Sequence, residues 1–232
     1  MNNNFVFQNR MSSDQIPVVM KEVFRYAGIP VSKIENLDEE TKKLAEAAVE
    51  KIKSVMNPRA SYVRFEIQID DTKDRTSQSG ITSKPGDSSK DLPVISFSTY
   101  KLASHDLSKN LHDCHSTYLF AATLGSAVDK EIQKASRINP ALSVMLQAAG
   151  AMFIESYCDT LEEQLLEDEK KDCNVFVPRY SPGYGDVPLE VQKMFFEILS
   201  CEKKLGLTLT DSLLMMPEKS VTAFIGVKKS IL

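Results

Sequence analysis

The sequence has no tryptophan, and its nine glycines and four cysteines are spread thinly over 232 residues. Cys114, Cys158, Cys173 and Cys201 form no CxxC pair, which argues against a zinc ribbon or a thioredoxin-like motif. Isolated cysteines of this kind usually act as small core residues in a reducing compartment, so a cytoplasmic setting is expected. Glycine-rich phosphate cradles are missing: there is no GxGxxG, no P-loop and no GxSxG elbow. That disfavours a Rossmann-type methyltransferase and an ordinary hydrolase. An excess of positive charge is also lacking. With 28 basic and 32 acidic side chains the net charge is -4. Such a chain has no general electrostatic pull toward nucleic acid or an anionic membrane. No run approaches the roughly 20 apolar residues needed to span a bilayer. The Asn-rich start, Met1 to Arg10, has no basic segment before an apolar stretch, so no signal peptide is expected.

What is present is 42% hydrophobic content, enough for the core of one globular domain. Residues 1–13 read as a flexible N-terminal arm and 14–232 as the domain. Residues 14–28 suit a helix with Asp14 near its start, Pro17 in its first turn and Gly28 just past its end. Leu44, Ala48, Ile52 and Val55 recur at helical spacing between Asp38 and Met56, with Asp38, Glu39 and Glu40 at the positive end of the dipole. Val63, Phe65, Ile67 and Ile69 alternate with polar residues, the mark of a strand with one buried face. Residues from about 71 to 93 lose all periodicity and predict an exposed loop. Short strands are expected at 94–98 and 117–123, and helices at 104–112 and from Ser126. A long helix is expected from about Ala141 to Lys170, apolar nearly all round in its first half and so central and buried. Asp186 is placed to cap a following helix with Pro188 in its first turn. A last strand is expected at 221–227. Strands and helices mix without βαβ regularity, which favours an α+β fold on an antiparallel twisted sheet.

Two constellations argue against chemistry. His105, His112 and His115 match no metal-binding spacing and read as partly exposed structural histidines, so no metal site is expected. The acidic run from Glu162 to Glu169 reads as a solvated helix end. No residue pattern suggests a catalytic acid, base or nucleophile.

The segment Arg179-Tyr180-Ser181-Pro182-Gly183-Tyr184-Gly185-Asp186 stands apart. Pro182 and Gly183 force a turn, and glycine lets a ligand approach bare backbone. Arg179 offers a planar fork for a carboxylate, and Tyr184 a ring face for a nucleobase or a sulfonium. The residues alone leave two readings open: an ordinary turn into a capped helix, or a site for a carboxylate-bearing, cationic, adenine-containing ligand.

The same segment is similar to the Arg-x-[Ala or Ser]-Pro-Gly-Tyr motif of the activation domain of cobalamin-dependent methionine synthase. Leu209 to Pro217 resembles that family's segment before its last core strand, and Ser220-Val221-Thr222-Ala223 resembles the start of that strand. Glu22 to Gly28, Leu119 to Gly125 and Gly150 to Asp159 resemble stretches of its free-standing members, so the likeness spans about residues 14–227. Gly185-Asp186 after the tyrosine marks the free-standing subgroup. By contrast, Asp113 to Tyr118 resembles the DxHxxG signature of a corrinoid-binding module, but Tyr118 stands where that pattern needs glycine. The chain is therefore not expected to hold cobalamin itself.

The resemblance implies an α+β activation-domain fold and an S-adenosylmethionine site. Carried over residue by residue, that site comprises Arg179 at the ligand carboxylate, with Ser181, Gly183 and Tyr184 around it. The family's early aspartate has no evident counterpart, and for its late tyrosine the nearest aromatic is Phe224. The implied role is that of an accessory protein, not a complete enzyme. It would present S-adenosylmethionine while oxidised cob(II)alamin on a separate methionine synthase, one lacking its own activation domain, is reduced and remethylated. A flavodoxin-like protein is the implied electron donor. Two alternatives are reactivation of another corrinoid methyltransferase protein and a non-catalytic ligand-sensing module.

Overall fold

A computed structural model describes residues 5–70 and 92–230. Its centre is an antiparallel sheet whose strands are β1 (Phe7–Arg10), β2 (Arg59–Glu66), β6 (Cys114–Thr123), β10 (Ser220–Lys229) and β7 (Asn174–Phe176), in that spatial order. Tyr62 pairs with Phe120, which pairs with Ala223 on its other side. β6 is central and covered on both faces, so Ser116 to Thr123 are buried without a break and the strand does not alternate.

The sheet carries two different layers. On the first face lie helices α1 (Met20–Tyr26), α2 (Glu39–Val55), α4 (Ser126–Ile138) and the 30-residue α5 (Pro140–Glu169). Their side chains meet Tyr118, Phe120, Ala122, Ala223 and Ile225 of the sheet, with Phe153 and Tyr157 of α5 fully buried among them. Each such side chain contributes about 1.5–3 kcal/mol on burial. The second face meets α3 (His105–Asn110), α6 (Val191–Leu199) and α7 (Cys201–Leu205). It also meets a small sheet of β3 (Gln68–Asp70), β4 (Val94–Phe97) and β5 (Tyr100–Ala103). Here Phe195, Phe97 and Phe224 pack edge to face, with ring centroids 4.8 Å apart for Phe195–Phe224 and 6.1 Å for Phe97–Phe224. A two-strand ribbon, β8 (Thr208–Leu209) with β9 (Met215–Met216), leads into β10.

The expected α+β fold on an antiparallel sheet is what the chain adopts, and the long buried helix is there. By length and composition α5 and its extension could cross a bilayer, but its apolar surface is taken up by α1, α2, α4 and the sheet.

Several local expectations change. The stretch read as a loose arm contains β1, whose Phe7 to Arg10 pair with Tyr62 to Arg59. The helix expected over 14–28 runs only from Met20 to Tyr26. Pro17 lies before it, and Asp14 sits in a separate 3-10 turn, Ser13–Gln15, capped by Ser12. A residue preceding proline is pushed away from helical geometry, which separates the two pieces. The single alternating run 63–69 serves two sheets: β2 ends at Glu66, Ile67 donates to the His115 carbonyl, and β3 turns away to pair with β4. The acidic run is not a uniformly solvated end, because Glu162 is half-buried and Glu169 buried on the inward side of α5. Of the cysteines, Cys158 and Cys201 are buried, whereas Cys173 is exposed in a left-handed turn with φ 57°. The loop expected over 71–93 lies outside the described residues except for its last two.

Candidate functional site

After β7 the chain leaves regular pairing but keeps to the edge of β10. Val177 donates to the Gly226 carbonyl at 2.9 Å, and Tyr180 exchanges two hydrogen bonds with Phe224 at 3.0 and 2.9 Å. This close approach requires Gly226, because a Cβ there would lie 2.6–2.7 Å from Leu111, Cys114 and Val177. By strand alternation, Thr222 turns its N–H and C=O to the same edge, beyond the Tyr180 bridge.

At Ser181 the chain departs and turns. Pro182 is buried, Gly183 has φ +91°, and its N–H donates to Val187 O at 2.9 Å. Both the left-handed backbone and Leu189, whose Cδ1 would stand 3.2 Å from an added Cβ, select glycine at 183. Asp186 does not cap the helix that follows. Its carboxylate accepts from the Ser104 hydroxyl and from the backbone N–H groups of His105 (2.7 Å) and Asp106 (3.2 Å), at the start of α3. The turn is thereby tied to a distant element. Burial alone would raise the Asp186 pKa, but these donors hold it below the usual carboxylate range.

Arg179, 20% exposed, points at α5. Its guanidinium pairs with Glu155 at 3.0 Å, with Asp159 at 2.8 Å and with Glu162. Positions 155, 159 and 162 lie on one helical stripe, so α5 presents the three carboxylates together. Burial would lower the arginine pKa, but Glu162 and its neighbours drive it well above its ordinary value. At Glu162 burial outweighs the guanidinium and raises the carboxyl. One cation against three anions leaves this corner net negative, suited to a ligand carrying positive charge.

Between α5, the turn, α6, β9 and the bared edge of β10 lies a cleft of about 530 Å³. Glu155 and Arg179 form one wall with Tyr180, Ser181 and Tyr184. Gln192, Met215, Ser220 and Thr222 complete it. The structure therefore brings Arg179, Ser181 and Tyr184 together on one cavity. Gly183 does not line it but shapes the turn that does. Tyr184 is 68% exposed, its ring free to meet a ligand. Phe224, the aromatic nearest the family's late tyrosine, is fully buried in the second core. Two residues that the sequence reading missed are Glu155 and Gln192. Helical spacing to Asp159 and Glu162 could have drawn attention to the first. Nothing local marks Gln192, which reaches the cleft only because α6 packs on the sheet.

The three histidines do not converge: His105 lies beside Asp106, His112 beside Asp113, and His115 3.4 Å from Arg64. Among the described residues no group of three or more His, Cys, Asp or Glu is arranged to hold a metal ion.

The family model for the activation domain of vitamin B12-dependent methionine synthase matches residues 108–230. The chain belongs to this family. The matched part contains α5 with its three carboxylates, the Arg179–Asp186 turn, α6 and β10, which together build the cleft of this activation-domain chain. Among solved structures, the MetH reactivation domain bound to AdoHcy is similar in fold, with a TM-score of 0.61 at 16% sequence identity. The match covers 97% of this chain and 79% of that one. No curated protein matches the chain. The activation-domain fold is thus shared over nearly the whole length described.

Proposed function

We propose that this chain binds S-adenosylmethionine in the cleft and supports reductive methylation of cobalamin on a separate methionine synthase. The observation that carries the reading is the one cavity on which Arg179, Ser181 and Tyr184 converge beside three carboxylates. Its volume falls in the range of about 300–1,000 Å³ typical of small-ligand sites. The residues fit the ligand's chemistry. The net negative corner suits a ligand with an ammonium and a sulfonium, and the Arg179 fork suits its carboxylate. Glu155, on the cleft wall, offers a carboxylate to the ligand's ammonium. Tyr184 offers a ring to the base or the sulfonium.

Bound S-adenosylmethionine would supply the methyl group on its sulfonium. The chain's own residues would orient it and strip its water, since the cofactors carry the hard chemistry. Arg179 and Glu155 would fix the amino-acid end, and the turn tied down by Asp186 would keep Ser181 and Tyr184 in register. The partner is proposed from the resemblance to free-standing activation domains, which need the homocysteine, folate and cobalamin chemistry of another protein. A synthase without its own activation domain, with a flavodoxin-like electron donor, in the cytoplasm, fits that need. The four free cysteines agree with a reducing compartment.

Isothermal titration with S-adenosylmethionine tests the ligand. Removing one member of a buried charge pair costs about 2–5 kcal/mol, so Arg179→Ala should weaken binding about 30-fold or more. Arg179→Lys should recover only part, because an ammonium lacks the fork. Equal binding by wild type and Arg179→Ala would remove Arg179 from the site. No binding at millimolar ligand would refute the reading.

A further inference from the structure

We infer that Gln192 reads the adenine edge of the ligand and sets the base specificity of the cleft. The inference rests on the S-adenosylmethionine reading above. Gln192 is 6% exposed and lines the cleft, yet its buried Oε1 finds no hydrogen-bond partner among the described residues. A buried amide oxygen without a partner is costly, and proteins usually satisfy such groups. Shielded from water and without a donor among the described residues, Oε1 is left for a donor on the ligand, with the amide nitrogen beside it to donate in return.

Position decides which part of a ligand meets it. Glu155 and Arg179 are ion-paired on the α5 side, in the layer over the first face of the sheet. Gln192 stands on α6, which packs on β2 and β6 from the second face. The cleft opens at the sheet edge where the two layers meet, so its charged corner and its neutral amide come from opposite sides. A ligand with a zwitterionic amino-acid end and a neutral heterocyclic end matches that division. An amide offers one donor and one acceptor side by side, the complement of the adenine amino group and its neighbouring ring nitrogen. A 6-oxo base presents the opposite pattern and gains nothing from an amide held in the adenine-reading orientation.

The test compares S-adenosylhomocysteine with S-inosylhomocysteine, which differ only at the 6-position of the base, on wild type and Gln192→Met. Wild type should bind the adenosyl compound about 10-fold or more tightly than the inosyl one, as expected when a site's buried polar group is left unpaired. Gln192→Met keeps length and volume but removes the amide, so the ratio should fall to near one, chiefly through weaker adenosyl binding. Its ligand-free Tm should hold or rise, since the lost oxygen had no protein partner. A purely structural glutamine would lower Tm and leave the ratio intact. An unchanged ratio in Gln192→Met, with both ligands binding, overturns this inference and spares the ligand reading. Absence of binding by wild type overturns both.

Discussion

The two walls of the cleft differ in how far the protein has already satisfied them. On the α5 wall Arg179 is held by three carboxylates, so its side chain is oriented before any ligand arrives. On the α6 wall Gln192 is buried with an unpartnered oxygen. The first wall is preorganised and charged, and the second neutral and unsatisfied. Preorganised charges lower the ordering cost of binding, while an unsatisfied dipole discriminates, because only the right partner relieves it. The division also follows the fold: one wall grows from the helical layer, the other from the mixed layer beneath the opposite face.

Independence of the walls can be broken from the core. Phe195 is fully buried on α6 and Phe153 fully buried on α5. Either change to alanine should cost about 3–5 kcal/mol by urea unfolding, the usual loss for a large aromatic. Phe195→Ala withdraws the support of the Gln192 wall. At matched folded fraction it should weaken discrimination between adenosyl and inosyl ligands more than Phe153→Ala does. Equal losses of discrimination would show that the walls act as one unit.

A smaller effect sharpens the comparison at the turn that joins the walls. Asp186 bonds the start of α3 from the far side of the cleft loop. Asp186→Ala should cost about 1 kcal/mol, typical of a lost helix-start carboxylate, measured as a shift in urea midpoint. Affinity should fall only a few-fold, because Ser181 and Tyr184 lose order and not identity. A loss as large as that of Arg179→Ala would mean that the turn's position, more than its charge, determines binding.

How much of this was legible depended on how local the cause was. The α+β class, α2, α5 and β10 followed from periodicity, and of the motif residues Arg179, Ser181 and Tyr184 line one cleft while Gly183 shapes the turn beside it. Helix α2 begins at Glu39 because Asp38 caps it through Thr41 N at 2.8 Å, a signal carried by four consecutive residues. β1 escaped because an edge strand buries little and Phe7 to Arg10 show no clean alternation. Asp186 was assigned to the wrong helix because its partners lie about 80 positions away, and a capping carboxylate does not announce which backbone it will meet. Glu155 and Gln192 were missed for the same reason: each is ordinary within its own helix and becomes part of the site only through packing across the sheet.

The finest contrast lies within α5 itself, between two glutamates seven residues apart on one stripe. Glu162 meets Arg179, whereas Glu169 accepts from Tyr118 at 2.7 Å, Asn174 at 2.6 Å and Arg64 at 3.0 Å. Burial raises both carboxyls. At Glu162 it prevails, and at Glu169 the three donors prevail and hold the pKa below its ordinary value. The consequences for stability have opposite sign. A lowered carboxyl contributes stability above its unfolded value of about 4.3 and loses it as pH falls through the folded value. A raised carboxyl binds its proton more tightly when folded, so its contribution is present at low pH and is lost as pH rises through the folded value. Glu169→Gln should therefore flatten the acid limb of the stability profile, and Glu162→Gln should steepen it, each by about 1 kcal/mol or less between pH 3 and pH 7. Urea midpoints at pH 3, 5 and 7 for both variants and wild type measure the two slopes. If both variants flatten the limb, the Arg179 pairing outweighs burial at Glu162, and the α5 wall is more fully neutralised than three carboxylates around one guanidinium suggest.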